Sequence, residues 1–315
     1  MGHFDVSVII PMKNVQNDIE GIIDRIEKDS AGICKEFILV DMNSTDNSLL
    51  YALKTVRERK LEGFIVQCGG KTLGAALNTG IIKAKGDYLT FVFPRRMYAP
   101  FISSYYETAK EFSSDFVFGK FPENGSVKPI NFSTGSLSGL ELFKGVLTEL
   151  ITFDIAAILA NRRFLVERHI LFNEECSYGY SEEFIYRILL SSENINQASA
   201  VMQREPTLDA ESGLPEEIGF DCFSKVEAML RIYELLEYRH KSNRKLLVKF
   251  RCDKIPDSVM SCVNLLLREG YSYKTIRATL KIKGYDEYLR TSATANKKLK
   301  KSILLWNTFP KLYKA

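Results

Sequence analysis

Phe93, Pro94, Arg95 and Arg96 close an apolar stretch that reads "DYLTFVF". Adjacent guanidinium groups offer forked N–H donors that match phosphate oxygens, so Arg95 and Arg96 are candidates for holding a diphosphate. The plainer alternative is two solvated arginines. Glu182 and Glu183 follow Ser181 at the head of a helical stretch. A carboxylate there could take the proton of an attacking hydroxyl; equally, two acids in a first turn suit the positive end of a helix dipole. Asp41 ends the apolar run "FILVD", where its carboxylate either binds a ligand or serves the fold. Asp46 reads as a helix N-cap. "GGKT" at 69–72 suggests the end of a phosphate loop, but the glycine required five residues before Gly70 is Ile65, which excludes it. His3, His169 and His240 have no partners at metal or nucleophile spacing, and the six cysteines include no C-x-x-C pair.

These groups need elements to position them. "VSVIIP" at 6–11 reads as a strand buried on both faces, "KEFILVD" at 35–41 as the next buried strand, and "GFIVQC" at 63–68 and "DYLTFVF" as a third and a fourth strand. Between them, apolar residues at helical spacing predict helices over 17–30 and 45–60, and through "LGAALNTGIIKAKG", with Gly86 as its stop. Strand alternating with helix means a parallel sheet covered by helices. Ligands then bind at the carboxyl ends of the strands, where Pro11, Asp41, Cys68 and Phe93 fall. No G-x-G-x-x-G follows the first strand, which argues against a dinucleotide enzyme. Further on, the pattern predicts a helix, a strand at 115–121, a surface loop or flap over 122–139, then a strand, a short helix and a helix at "SEEFIYRILLSSE". Past about residue 215 it turns helical, dividing the chain into 1–214 and 215–315.

The chain has 315 residues, 45% apolar and 26% charged, with a net charge of +4. That composition suits a globular protein, and the charge is too small to argue for nucleic acid. No signal peptide or membrane-spanning run is expected, and scattered thiols fit the cytoplasm. Residues 297–314 set Lys297, Lys298, Lys300, Lys301, Lys311 and Lys314 around Leu299, Ile303, Trp306 and Phe309. Such a segment is either a basic amphipathic helix on the anionic inner face of a membrane or a helix packed on the protein.

"VSVIIPMKN", "FILVDMNSTDNS" and "LNTGIIKAKGDYLTFV", with a weaker match through "ILANRRFLVERHILFNEECSYGYSEEF", resemble the family 2 glycosyltransferases over about the first 190 residues. The resemblance implies a GT-A fold, with mostly parallel strands flanked by helices and a helical C-terminal appendage. It implies inverting transfer of a sugar from a nucleotide-sugar donor to a saccharide or lipid-linked acceptor, in bacterial surface-polysaccharide synthesis. Pro11, Lys13 and Asn14 would approach the nucleoside. Asp41 and Asn43 would meet the base and ribose, and Lys71 a phosphate. "GGKTLGAALNTG", which includes Asn78, would supply small residues close to the nucleotide.

The chain also departs from the family's pattern. Its metal-binding F-L-D-x-D-D is Phe91–Arg96 here, so no divalent metal or other cofactor is expected; Arg95 and Arg96 would supply the metal's charge. Met42 replaces the second aspartate of D-D-G-S, and Leu77 the arginine of A-R-N. The family's E-D-x-x-F, whose aspartate is the base, is Tyr180, Ser181, Glu182, Glu183, Phe184, which makes Glu182 and Glu183 the candidate bases. These losses also admit a second expectation: a catalytically inactive binding subunit that scaffolds a partner glycosyltransferase.

Overall fold

The computed structural model describes residues 3–69, 72–122, 136–205, 218–290 and 295–309, together with residue 313. Two units separate. One runs to residue 174 and takes in 184–214; the other comprises 175–183 and everything from 215.

The first unit is built on strands β1 (Val6–Met12), β2 (Lys35–Asp41), β3 (Gly63–Gln67), β4 (Tyr88–Phe91), β5 (Phe116–Lys120), β6 (Ile158–Asn161) and β7 (Ile195–Val201). They form one sheet in the order β3-β2-β1-β4-β6-β5-β7. Only β6 runs antiparallel to its neighbours. This is the mostly parallel α/β architecture that the alternating pattern predicts. Helices α1 (Ile19–Asp29), α2 (Ser48–Glu58) and α3 (Leu73–Lys83) make the crossovers between the first four strands, followed by α4 (Ile102–Phe112), α5 (Gly139–Leu147), α6 (Arg162–Glu167) and α7 (Tyr180–Ser191), whose first turn belongs to the second unit.

One face of β1 presents Val6, Val8 and Ile10 to the stripe Ile19, Ile22, Ile23 and Ile26 of α1, with Ile102 and Tyr105 of α4 in the same core. On the other face α3 lies close to the sheet. A Cβ on Gly80 would stand 2.4 Å from Ile9 Cγ2, and one on Gly74 would stand 3.1 Å from the carbonyl oxygen of Asn173. Gly74 and Gly80 of "GGKTLGAALNTG" therefore serve close packing in this unit, while nothing stands within 4 Å of a Cβ on Gly69, and residues 70 and 71 lie outside the described residues. Gly86 does not end α3 either, since the helix stops at Lys83. Its amide donates to Ser7 Oγ at 2.8 Å, and a Cβ there would fall 2.6 Å from the Ser7 nitrogen.

Two elements went unpredicted, α5 and β7. α5 opens on Ser138, whose side chain accepts from the amide of Glu141, the S-x-x-E signature of a capped start. β7 carries Asn196, Gln197 and Ser199, polar residues that weaken the strand signal. It lies at the edge of the sheet beside β5, with a single bridge from Leu137 on its other side, where such residues are tolerated.

The second unit contains α8 (Ser224–His240), α9 (Arg244–Lys249), α10 (Ile255–Arg268), α11 (Tyr273–Lys283) and α12 (Lys297–Thr308). A π-helical turn, Phe250–Lys254, joins α9 to α10. Pro256 explains it: proline cannot donate to the preceding turn and its ring crowds the carbonyl four residues back, so the ladder widens locally. α12 begins where Asn296 Oδ1 accepts from the amide of Leu299 at 2.7 Å. Leu299, Ile303 and Trp306 share one face, as their spacing requires, and all three are buried. Trp306 meets Tyr313 edge-on, and Tyr313 donates to Asn264 Oδ1 of α10 at 2.7 Å. Leu299, Ile303 and Trp306 are thus covered by protein, as the packed-helix alternative expects, while Phe309 is exposed. Lys311 and Lys314 lie outside the described residues.

Candidate active site

The parallel strands β1 and β2 deliver their following loops side by side. The amide of Met42 donates to the carbonyl of Met12 at 2.9 Å, which carries the ladder past both strand ends. Each chain then turns through an asparagine of positive φ, Asn14 at 53° and Asn43 at 56°. Asparagine tolerates that left-handed region better than most residues. Asn14 Oδ1 accepts from the amide of Thr45 at 2.8 Å, and Ser44 Oγ accepts from the amide of Asn14 at 3.1 Å. Ser48 Oγ and Asp46 accept from the amides of Val15 and Gln16. The amide of Ser48 also donates to Asp46 Oδ1 at 2.9 Å, so Asp46 caps the entry to α2 from one position before its N-cap, Asn47. Against a burial effect in the opposite direction, these donors hold the Asp46 carboxyl below its usual range.

The loop amides and asparagine geometry are thereby settled locally, and Lys13, Asn14 and Asn43 remain exposed. Pro11 is buried inside β1 and not in the loop. Asp41, 1% exposed, accepts from the amide of Ser44 at 3.3 Å.

Beyond β4 the chain makes a tight turn, with the amide of Arg96 donating to the carbonyl of Phe93 at 3.0 Å. Pro94 sits at the second position of this turn, where its fixed φ is favourable. The turn sends the two arginines apart. Arg95 donates to the carbonyl oxygen of Asn14 at 2.9 Å, which places its guanidinium against the β1 loop. Arg96 lies over the Phe93 ring, 4.5 Å from its centroid, with a terminal nitrogen 3.4 Å from Asp154 Oδ1. Its Nε and one terminal nitrogen are buried and form no hydrogen bond among the described residues. Asp154 in turn accepts from Tyr98 Oη and from the amide of Ala156, each at 2.9 Å. Burial, reinforced by Asp154, pushes the Tyr98 hydroxyl well above its ordinary pKa. Of the expected pair, only Arg95 faces the strand-end loops.

Magnesium and manganese demand several oxygen ligands. Phe93 and Pro94 carry none, and Arg95 and Arg96 are cations, so the residues of this turn do not fit the family's metal. Among the described residues no group of three His, Cys, Asp or Glu could hold one elsewhere.

The model of the family described as "Glycosyl transferase family 2" matches residues 7–168, more than half of the chain. The chain belongs to glycosyltransferase family 2. Its structure resembles that of S. aureus TarS, residues 1–349, in complex with UDP-GlcNAc. That match has a TM-score of 0.63 at 15% identity and covers 96% of this chain and 81% of that one. It also resembles the mannosyltransferase PcManGT from Pyrobaculum calidifontis in complex with GDP-Man and Mn2+, with a TM-score of 0.51 at 14% identity over 98% and 85% of the two chains. At such identities the likeness is one of fold, and that fold is GT-A. No curated protein matches the sequence. No described helix is long and apolar enough to cross a membrane.

Three sequence candidates of this family 2 chain take other roles in the structure. Asn78 is 3% exposed, and its amide group is held on both sides by the Phe172 backbone. Nδ2 donates to that carbonyl at 2.9 Å and Oδ1 accepts from that amide at 2.9 Å, with a further bond from Nδ2 to Glu174 at 3.0 Å. A side chain so occupied pins residues 172–174 to α3 and is not free for a nucleotide.

Glu183, with its side chain 6% exposed, receives a bidentate pair from Arg231, at 2.8 Å and 2.7 Å. Glu182 is paired with Lys254 at 2.9 Å and Lys225 at 3.4 Å. Burial raises the pKa of Glu182, but the two lysines outweigh it and hold the carboxyl below its usual range. A carboxylate stabilised in its charged form is a weak proton acceptor, which argues against Glu182 as the general base, while both oxygens of Glu183 are taken up by Arg231. The sequence could not reveal these partners, since Lys225, Arg231 and Lys254 are more than 40 residues away. Lys71 lies outside the described residues.

Proposed function

We propose that this family 2 protein binds a nucleotide diphosphate sugar across the carboxyl ends of β1, β2 and β4, and transfers the sugar, with inversion, to a saccharide or lipid-linked acceptor. Synthesis of a surface polysaccharide is the setting the resemblance implies. The observation that carries the reading is the 2.9 Å bond from Arg95 to the carbonyl of Asn14. It lays a fixed positive charge across the loops that Asn14 and Asn43 turn, where a diphosphate between β1 and β4 would need one. Lys13 and Asn43 are exposed beside it for the nucleoside, and Asp41 can accept from a base N–H. In this reading Arg95 takes over the charge neutralisation that a metal supplies in relatives such as the Mn2+-bound mannosyltransferase. The UDP-GlcNAc complex of TarS supports a nucleotide-sugar donor.

A second reading, a scaffold that binds without transferring, is favoured by the ion pairs that occupy Glu182 and Glu183. Calorimetric titration with UDP, GDP and their sugar conjugates, with and without Mn2+, tests the first reading. Binding that is indifferent to Mn2+ is expected. Absence of binding to every nucleotide would leave the scaffold. Release of nucleoside diphosphate from a bound sugar conjugate, followed by chromatography, separates transfer from binding alone.

A further inference from the structure

A cleft of about 550 Å³ opens in the first unit between the segment 149–154, the end of β5 and residues 202–204. Phe121 and Phe153 meet edge to face in its wall, 5.8 Å between centroids, as part of a ring cluster with Phe116 and Phe118. Glu149, Asp154, Gln203 and Arg204 supply polar groups around these rings. An aromatic floor with planar, hydrogen-bonding side chains at its edge suits a ligand that has C–H faces and a rim of hydroxyls. That ligand class is a saccharide.

Glu149 sits here at a conformational cost. α5 ends in a two-bond reversal: the amide of Glu149 donates to the carbonyl of Val146 at 3.0 Å, and the amide of Leu150 to that of Gly145 at 3.1 Å. In this motif the residue just past the cap is left-handed and is most often glycine. Here it is glutamate, with φ of 58°. A Cβ is unfavourable in that region, and nothing local compensates, because the exposed carboxylate has no hydrogen-bond or ion-pair partner among the described residues. Asp154, the other carboxylate of the cleft, is already engaged by Tyr98 and Ala156. Arg204 is likewise exposed and unpaired among the described residues.

From these observations we infer that the cleft binds a saccharide and that Glu149, unpaired at its edge among the described residues, accepts hydrogen bonds from the saccharide's hydroxyls; the left-handed helix end itself is no mark of the site, since Lys60 and His169 close α2 and α6 in the same way. That this saccharide is the acceptor rests on the function proposed above; saccharide binding itself does not.

The test uses the full chain and a panel of chitobiose, cellobiose and mannobiose, read by saturation-transfer NMR. At least one disaccharide is expected to bind the unmodified protein. Glu149→Gln and Glu149→Ala should weaken it about tenfold, the size of one hydrogen bond to a charged group. Glu149→Gly should weaken it as much while raising Tm by about 2–4 °C, since glycine relieves the strain. Failure of all three sugars to bind the unmodified protein overturns the proposal, as does a stabilised Glu149→Gly that binds as tightly as the unmodified chain. Parallel titration of the variants with UDP and GDP keeps the two proposals apart. Sugar binding without nucleotide binding sinks the donor reading alone, and the reverse result sinks only this one.

Discussion

At the ends of β1 and β2, Asn14, Ser44 and Asp46 direct their hydrogen bonds to loop backbone, while Lys13 and Asn43 stay exposed. In the first turn of α7, both oxygens of Glu183 go to Arg231 and Glu182 is shared between two lysines. Both regions carry acids and amides of the kind that do chemistry. They differ in what burial demands. Loop backbone satisfied by short neighbouring side chains leaves other groups available to a ligand. A carboxylate taken out of water must be paired, and pairing removes the basicity that catalysis would use. The strand ends should therefore matter for binding and little for stability, and the start of α7 the reverse.

Glu183→Ala should show the largest effect. It strands Arg231 beside a buried site and should destabilise the protein by about 3 kcal/mol, the low end for a buried pair because Arg231 is 36% exposed. Urea denaturation measures it. A loss under about 1 kcal/mol would place Glu183 among ordinary surface acids and erase the contrast.

Arg95→Ala comes next, with the opposite pattern. Affinity for UDP or GDP should fall by about 1.5–3 kcal/mol, affinity for the nucleoside should hardly change, and stability should stay within about 0.5 kcal/mol. Arg96→Ala should alter diphosphate binding less, since its guanidinium lies over Phe93 and towards Asp154. Equal losses for the two arginines would mean that they act as a pair after all.

The smallest effect is a pH dependence. Glu182 has a folded pKa below the ordinary 4.5. Its pairing therefore contributes stability above that value and loses it as pH falls towards the lower folded pKa. Glu182→Gln should lower stability at neutral pH, where the pairing is intact, and so flatten the decline in stability below about pH 4.5. If the acid limb is the same in both proteins, Lys225 and Lys254 do not hold Glu182 charged.

The first four strands and their helices could be read from apolar runs and helical spacing because each element carries its own pattern. Asp41 and the loops behind the strands followed from that, since parallel strands bring their carboxyl ends together, whereas Pro11 stays inside β1. β7 escaped because an edge strand needs fewer apolar residues, and α5 because its apolar stretch is short and follows a turn-rich segment, although Ser138 and Glu141 mark its start. The basic tail shows the limit of periodicity. Spacing aligned Leu299, Ile303 and Trp306 correctly but said nothing about what covers them.

By itself the sequence determined the family, the α/β architecture and the absence of metal-ligating side chains at 93–96, because these depend on residue type and local order along the chain. Tertiary structure decided which charged groups remain available. Arg95 and Arg96 are neighbours in the chain, yet a proline turn aims one at Asn14 and the other towards Asp154. Glu182 and Glu183 are silenced by cations from α8 and from the π-helical turn before α10. Glu149 is left unpaired among the described residues, at the edge of an aromatic cleft. The physical reason is the same in each case. The free energy of a charge depends on the partners and the solvent within a few ångströms, and those are set by residues far apart in sequence.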